Sequence, residues 1–221
     1  MLPPLVIVIE GNISSGKTTV LEHLASKGFQ CYPENVAEWG EYLEEMYNGD
    51  VKTSDMLQMR VAVDQLKIRN EINSNERITN ATLSNGRRVV FVERWIQSSE
   101  HIFIKNALNS EHMTITAKGI KLWRDFVEAT GLKTFKVDAF IYIQSDPAVS
   151  YKRIMDRSKL RRSERNIPFE YIESLHKLYE TFVAQHVSAP VLTIKNTDSM
   201  TKGAFAESAC DDLLRYCAQL K

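Results

Sequence analysis

The sequence predicts a three-layer α/β domain built on a parallel sheet, on three observations. Five short runs rich in branched or aromatic residues punctuate the chain, stretches with helical spacing separate them, and the first run leads straight into a glycine-rich segment. The runs are Leu2 to Ile9, Phe29 to Tyr32, Val89 to Val92, Ala139 to Ile143 and Val191 to Ile194. They read as buried parallel strands, which form near-continuous apolar runs because both faces are covered. Helices are expected over Thr19 to Lys27, Ser54 to Ser74, Thr116 to Ala129, Pro147 to Ser158 and Pro168 to His186. Asn75 to Arg88 and the tip from Ala107 to Met113 read as loops, with Asn85-Gly86 a turn ahead of the third strand. Sheets of this kind gather ligands at the carboxyl ends of their strands.

The 221 residues contain no repeat, low-complexity tract or linker, so one domain is expected over residues 1–221. Lysine plus arginine (28) balance aspartate plus glutamate (28), leaving no net field to recruit a nucleic-acid polymer or an anionic membrane. Leu2 to Ile9 is too short to span a bilayer and lacks the basic flank of a signal peptide. Cys31, Cys210 and Cys217 show neither the even count of a disulfide framework nor the spacing of a zinc site. A reducing compartment is therefore expected, the cytoplasm first, with mitochondrial and nuclear locations left open.

The glycine-rich segment is Gly11-Asn12-Ile13-Ser14-Ser15-Gly16-Lys17-Thr18, followed by Thr19. It has the form G-x-x-x-x-G-K-S/T and lies between a strand and a helix, as a P-loop NTPase fold requires. Glycines allow the tight turn and the inward N–H groups, Lys17 reaches the β- and γ-phosphates of a nucleoside triphosphate, and the Thr18 hydroxyl can ligate Mg²⁺. GTPases, helicases, small-molecule kinases and nucleotide sensors share this device, so the reaction must be read elsewhere.

Glu34 follows the second strand and can accept the proton of an attacking hydroxyl. The third strand ends in Glu93-Arg94, and Arg94 is placed either to hold phosphate or to position Glu34. Arg153, Arg157, Lys159, Arg161, Arg162 and Arg165 crowd a helix end and the loop before Pro168, a pattern that suits an arginine-rich lid closing over a transferring phosphoryl group. Gln58, Val61 and Gln65 share one helical face. A glutamine amide both donates and accepts, which suits a pyrimidine edge, and Phe103 or Trp39 can stack on or enclose the ring.

Taken in order, these segments resemble the deoxyribonucleoside kinase family, which includes deoxycytidine, deoxyguanosine and mitochondrial-type thymidine kinases. The resemblance rests on E-G-N-I-S-S-G-K-T-T at Glu10 to Thr19, E-N-V-A-E-W at Glu34 to Trp39, Met46-Tyr47, Gln58, Glu93-Arg94 with Phe103, the arginine cluster, and Ile167-Pro168 before Tyr171 to His176. It implies a five-stranded parallel sheet flanked by helices, a lid at about residues 157–167, and usually a homodimer packed through helices. It also implies Glu34 as general base on the 5′-hydroxyl, Arg94 as its orienting partner, and Tyr47 and Glu164 on the 3′-hydroxyl. Gln58 would pair with the base, Phe103 would stack on it, and Trp39 would line the pocket. Lys17, Arg153, Arg157 and Arg161 would embrace the triphosphate, with Thr18 and Glu93 serving Mg²⁺.

Some positions depart from the family pattern: Asn35 replaces a proline, Trp95 a serine, and Lys195 an aspartate of the donor-base loop. Deoxycytidine kinase-like members carry an acidic residue where Ser99 stands, paired with an arginine near Gln65. Val61, Gln65 and Ser99 instead resemble the pyrimidine or thymidine branch, so thymidine is the expected acceptor and deoxycytidine the second. The alternatives are a thymidylate kinase acting on dTMP, disfavoured because no arginine stands beside Pro33-Glu34, and a non-catalytic subunit that retains the kinase fold.

Overall fold

The computed structural model describes residues 2–74, 81–109, 115–158 and 164–220. Five strands form one sheet: β1 (Leu5–Glu10), β2 (Gln30–Tyr32), β3 (Val89–Glu93), β4 (Ala139–Gln144) and β5 (Val191–Lys195). Their order is β2-β3-β1-β4-β5, and every pairing is parallel. The two faces have separate cores, which explains the uninterrupted apolar runs. Val6, Val8, Val90, Val92, Phe140 and Tyr142 point to one face. Leu5, Ile7, Ile9, Phe91, Ile141 and Ile143 point to the other.

Helices α1 (Lys17–Ser26) and α9 (Lys202–Cys217) cover the second face. The first is covered by α2 (Val36–Tyr47), α3 (Val51–Ser74), α6 (Ala117–Thr130), α7 (Pro147–Ser158) and α8 (Phe169–Gln185). Between β3 and α6 runs a continuous helical segment: α4 (Ile96–Ser98), a π-helical stretch (Ser99–Ile104) and α5 (Lys105–Asn109). Helix α6 is capped by Thr116, whose hydroxyl accepts the Gly119 N–H, while the Asp55 carboxylate of α3 accepts the Thr116 N–H at 2.9 Å.

Three features differ from the sequence expectation. Ala107 to Asn109 are helical rather than loop, because α5 continues the π-helical segment and Ser174 of α8 donates to the buried Asn106 side chain; residues 110–113 of that expected tip lie outside the described residues. Helix α2 was not anticipated, although Val36, Trp39, Leu43 and Met46 recur at three- and four-residue spacing and turn toward the first core. Helix α9 was also missed, since its buried face is built largely from Ala206, Ala209, Cys210 and Cys217, small residues that carry a weak hydrophobic signal.

Candidate active site

Three neighbouring strands deliver the site. The P-loop leaves the end of the central strand β1, Glu93 closes β3 and Arg94 follows it, and Glu34 lies just past β2. The loop turns through left-handed backbone at Gly16 (φ 108°) and at Ser14 (φ 63°). At Gly16 a side chain would also collide with Asn196, whose Nδ2 lies 2.5 Å from the position of a Cβ. Beneath the loop, Asn12 Nδ2 donates to the Ile172 carbonyl at 2.8 Å and Asn196 Nδ2 to the Ser15 carbonyl at 2.6 Å. Lys17 Nζ donates to the Asn12 carbonyl at 2.8 Å and lies 3.8 Å from Glu93. Burial, reinforced by the Arg94 cation, lowers the Lys17 ammonium below its usual range. A triphosphate would restore the countercharge.

Arg94 holds Glu34. Its Nη1 donates to Glu34 Oε2, its Nε to the Tyr179 hydroxyl at 2.8 Å and its Nη2 to the Gly11 carbonyl at 3.0 Å. All three guanidinium nitrogens are thus engaged by protein, and of the two roles open to Arg94 the geometry favours positioning Glu34. The guanidinium also lies over the Phe103 ring, 5.0 Å from its centroid. The Thr18 hydroxyl donates to Glu93 at 3.2 Å, and the Glu34 N–H reaches the same carboxylate at 3.5 Å. Burial, with Glu34 adding to it, raises the Glu93 carboxyl. A desolvated carboxylate beside a hydroxyl at a helix N-terminus is a hard-oxygen set that fits Mg²⁺ completed by phosphate oxygens and water.

A cavity of about 490 Å³ opens in front of these groups. On its far side α3 presents Gln58, Val61 and Gln65 on one face, as their spacing predicts, and the π-helical segment presents Ser99 and Phe103. Gln58, Gln65 and Ser99 are buried, and Gln65 Oε1 has no hydrogen-bond partner among the described residues. Trp39 also lines the cavity, its indole N–H held by Asp64 of α3 at 2.9 Å. Tyr47 stands against Tyr171, ring centroids 5.8 Å apart, with Glu164 close enough to raise its phenol further beyond the effect of burial.

Arg153 and Arg157 reach the cavity from α7. Arg157 makes a bidentate pair with Glu164 at 2.7 and 2.8 Å, and Arg153 Nη2 contacts Asn196 Oδ1 at 3.2 Å and Asp198 Oδ1 at 3.1 Å. Ile13, Ser14, Gly16, Thr18 and Thr19 line the same space, while Gly11, Asn12 and Ser15 support the loop from behind. Lys159, Arg161 and Arg162, and with them the centre of the expected lid, lie outside the described residues.

Sequence reasoning assigned no role to Asn196, Tyr179 or Glu10. Asn196 directly follows β5, and its position at a carboxyl strand end was its only signal. Tyr179 is hidden among the core residues of α8. Glu10 ends an otherwise apolar strand and is buried, a placement that itself asks for charged or polar partners.

The deoxynucleoside kinase family profile matches residues 7–217. Similar proteins include mitochondrial thymidine kinase 2 of Homo sapiens, 29% identical over 208 residues that cover 89% of this chain and 72% of that protein. Deoxycytidine kinase of Mus musculus is 28% identical over 215 residues, covering 85% of this chain and 82% of its own. Putative kinase protein 143R of Invertebrate iridescent virus 6 is 27% identical over 212 residues, covering 96% and 99%. With a P-loop, an acid–arginine pair and a cavity lined by both brought together on this sheet, the chain belongs to the deoxynucleoside kinase family and is a kinase.

Proposed function

We propose that the protein transfers the γ-phosphoryl group of ATP to the 5′-hydroxyl of a pyrimidine deoxyribonucleoside, thymidine first and deoxycytidine second. The observation that carries this reading is Glu34, held by Arg94 between the P-loop lysine and a cavity whose far wall is neutral. Glu34 takes the proton of the 5′-hydroxyl as the oxygen attacks phosphorus, while Lys17, Arg153, Arg157 and the lid arginine Arg161 offset charge on the phosphates. Thr18 and Glu93 would hold Mg²⁺, which neutralises charge on the β- and γ-phosphates when bound. Tyr47 and Glu164 bind the sugar. Gln58 and Gln65 pair with the base edge, Phe103 stacks on the ring, and Val61 and Ser99 complete a pocket whose apolar wall suits the thymine methyl.

A nucleotide acceptor is disfavoured, because a phosphate placed beside Glu34 meets a carboxylate while Arg94 is already engaged. The chain acts as one catalytic unit with residues 157–167 as its lid, pairs as a homodimer, and works in a reducing compartment such as the cytoplasm, which imaging of the tagged chain in cells tests. The exposed Met56 on α3 and Leu122 on α6 are apolar side chains that a partner helix would cover. No described helix is long and apolar enough to cross a membrane.

The test is a panel of the four deoxyribonucleosides and dTMP with labelled ATP, run on the wild type and on Glu34→Gln. Thymidine is expected to give the highest kcat/KM, and Glu34→Gln to lose about 10²–10⁴-fold in kcat. Turnover of dTMP alone would sink the nucleoside reading, and undiminished turnover by Glu34→Gln would remove the base assignment.

A further inference from the structure

We propose that Glu10 is a positioning residue for phosphoryl transfer, fixing from behind the turn at Arg94 that aims Glu34. The inference rests on the reading of Glu34 as the general base. Glu10 is the last residue of β1, 1% exposed, and does not line the cavity. Its Oε1 accepts the Trp95 N–H at 3.2 Å. Its Oε2 faces the Tyr179 hydroxyl at 3.5 Å, and that same hydroxyl accepts the Arg94 Nε–H at 2.8 Å.

Arg94 needs such support. Its φ of 57° lies in the left-handed region. A residue with a side chain held there is disfavoured by about 1–3 kcal/mol and persists only where its surroundings over-determine it. Here the two consecutive N–H groups at the turn are both anchored on β1: Arg94 N–H on the Ile9 carbonyl at 3.0 Å and Trp95 N–H on Glu10. Glu10 thus fixes both the backbone that launches the guanidinium and, through Tyr179, one of the three bonds that orient it. The groups facing its carboxyl are Arg94 after β3, the Ser98 hydroxyl and Trp95 N–H at α4, Lys17 of α1 and Tyr179 of α8. Burial raises this carboxyl to about 7 against the pull of Arg94, so the site tolerates an ill-solvated acid where a neutral side chain would be easier to bury. A displacement of about 1 Å in a catalytic group can lower a rate about 10²-fold, which is the lever Glu10 holds through Arg94.

The test is steady-state kinetics of the full chain carrying Glu10→Ala or Glu10→Gln, each also in a Glu34→Gln background, with ATP and the deoxyribonucleoside turned over fastest. Glu10→Ala is expected to lower kcat about 10²-fold with both KM values within about threefold, and Glu10→Gln, which keeps an acceptor for Trp95 N–H, to recover about tenfold of that loss. In the Glu34→Gln background neither substitution is expected to reduce kcat further, because the group being positioned is already gone. A kcat for Glu10→Ala within about threefold of wild type, a loss confined to KM, or a loss that multiplies with that of Glu34→Gln would overturn the proposal. If Glu10→Ala does not fold, Tyr179→Phe removes the hydroxyl between Glu10 and Arg94; the same kcat loss is expected, and unchanged kcat overturns the proposal. Full activity in Glu34→Gln alone would instead overturn the base assignment, leaving the kcat-against-KM split of the Glu10 variants to decide whether Arg94 is being positioned.

Discussion

Replacing Glu10 by glutamine tests the physics of this site through stability, independently of turnover. Burial is the main cause that raises the Glu10 carboxyl from 4.5 to about 7, with Arg94 opposing it. The folded state therefore holds this proton more tightly than the unfolded chain does. Its contribution to stability is full below about pH 4.5 and is lost as pH rises through about 7. The ionised form is disfavoured on folding by about 3 kcal/mol, the equivalent of that shift. Glutamine has nearly the same shape, accepts from Trp95 N–H and carries no charge, so it escapes this dependence.

The stability of Glu10→Gln relative to wild type is expected to increase by about 2 kcal/mol between about pH 5 and about pH 8, or about 4–8 °C in Tm for a chain of this size. Urea titrations and thermal melts of the ligand-free proteins across that range measure it. A difference between the two proteins that does not change with pH would refute the reasoning, whatever its size. The expected outcome is a variant more stable at alkaline pH and slower in turnover, as when a site keeps an unfavourable group for its function.

Gly119→Ala would place a Cβ 2.2 Å from Asp55 Cγ, inside the joint where Asp55 receives Thr116. It is expected to destabilise the fold by about 1–3 kcal/mol in thermal melts, and to raise the nucleoside KM more than the ATP KM, because α3 carries Gln58 three residues beyond Asp55. Equal effects on both KM values would argue against transmission through α3. Light scattering is expected to give a dimer mass for the full chain, and an aspartate at Leu122 to shift it toward the monomer; a monomer in the wild type would end the dimer proposal.

The sheet was legible because its strands are covered on both faces: each is a continuous apolar run, and the run before Gly11 must be a strand for the P-loop to work. The helical face of Gln58, Val61 and Gln65 could be read as well, since three- and four-residue spacings place side chains together without tertiary information. Sequence also supplied Glu34, Glu93 and Arg94 as charged residues at carboxyl strand ends. It did not distinguish an Arg94 that grips phosphate from one that grips Glu34. That depended on the order β2-β3-β1, which brings residues 60 positions apart into contact, and on Tyr179 and Gly11 taking the other guanidinium nitrogens. Glu10 shows the same division: its type and place in the chain announce a buried acid, but only tertiary structure sets its carboxyl behind Arg94. Local periodicity follows from the geometry of a single helix or strand, whereas charge partners are chosen by long-range topology.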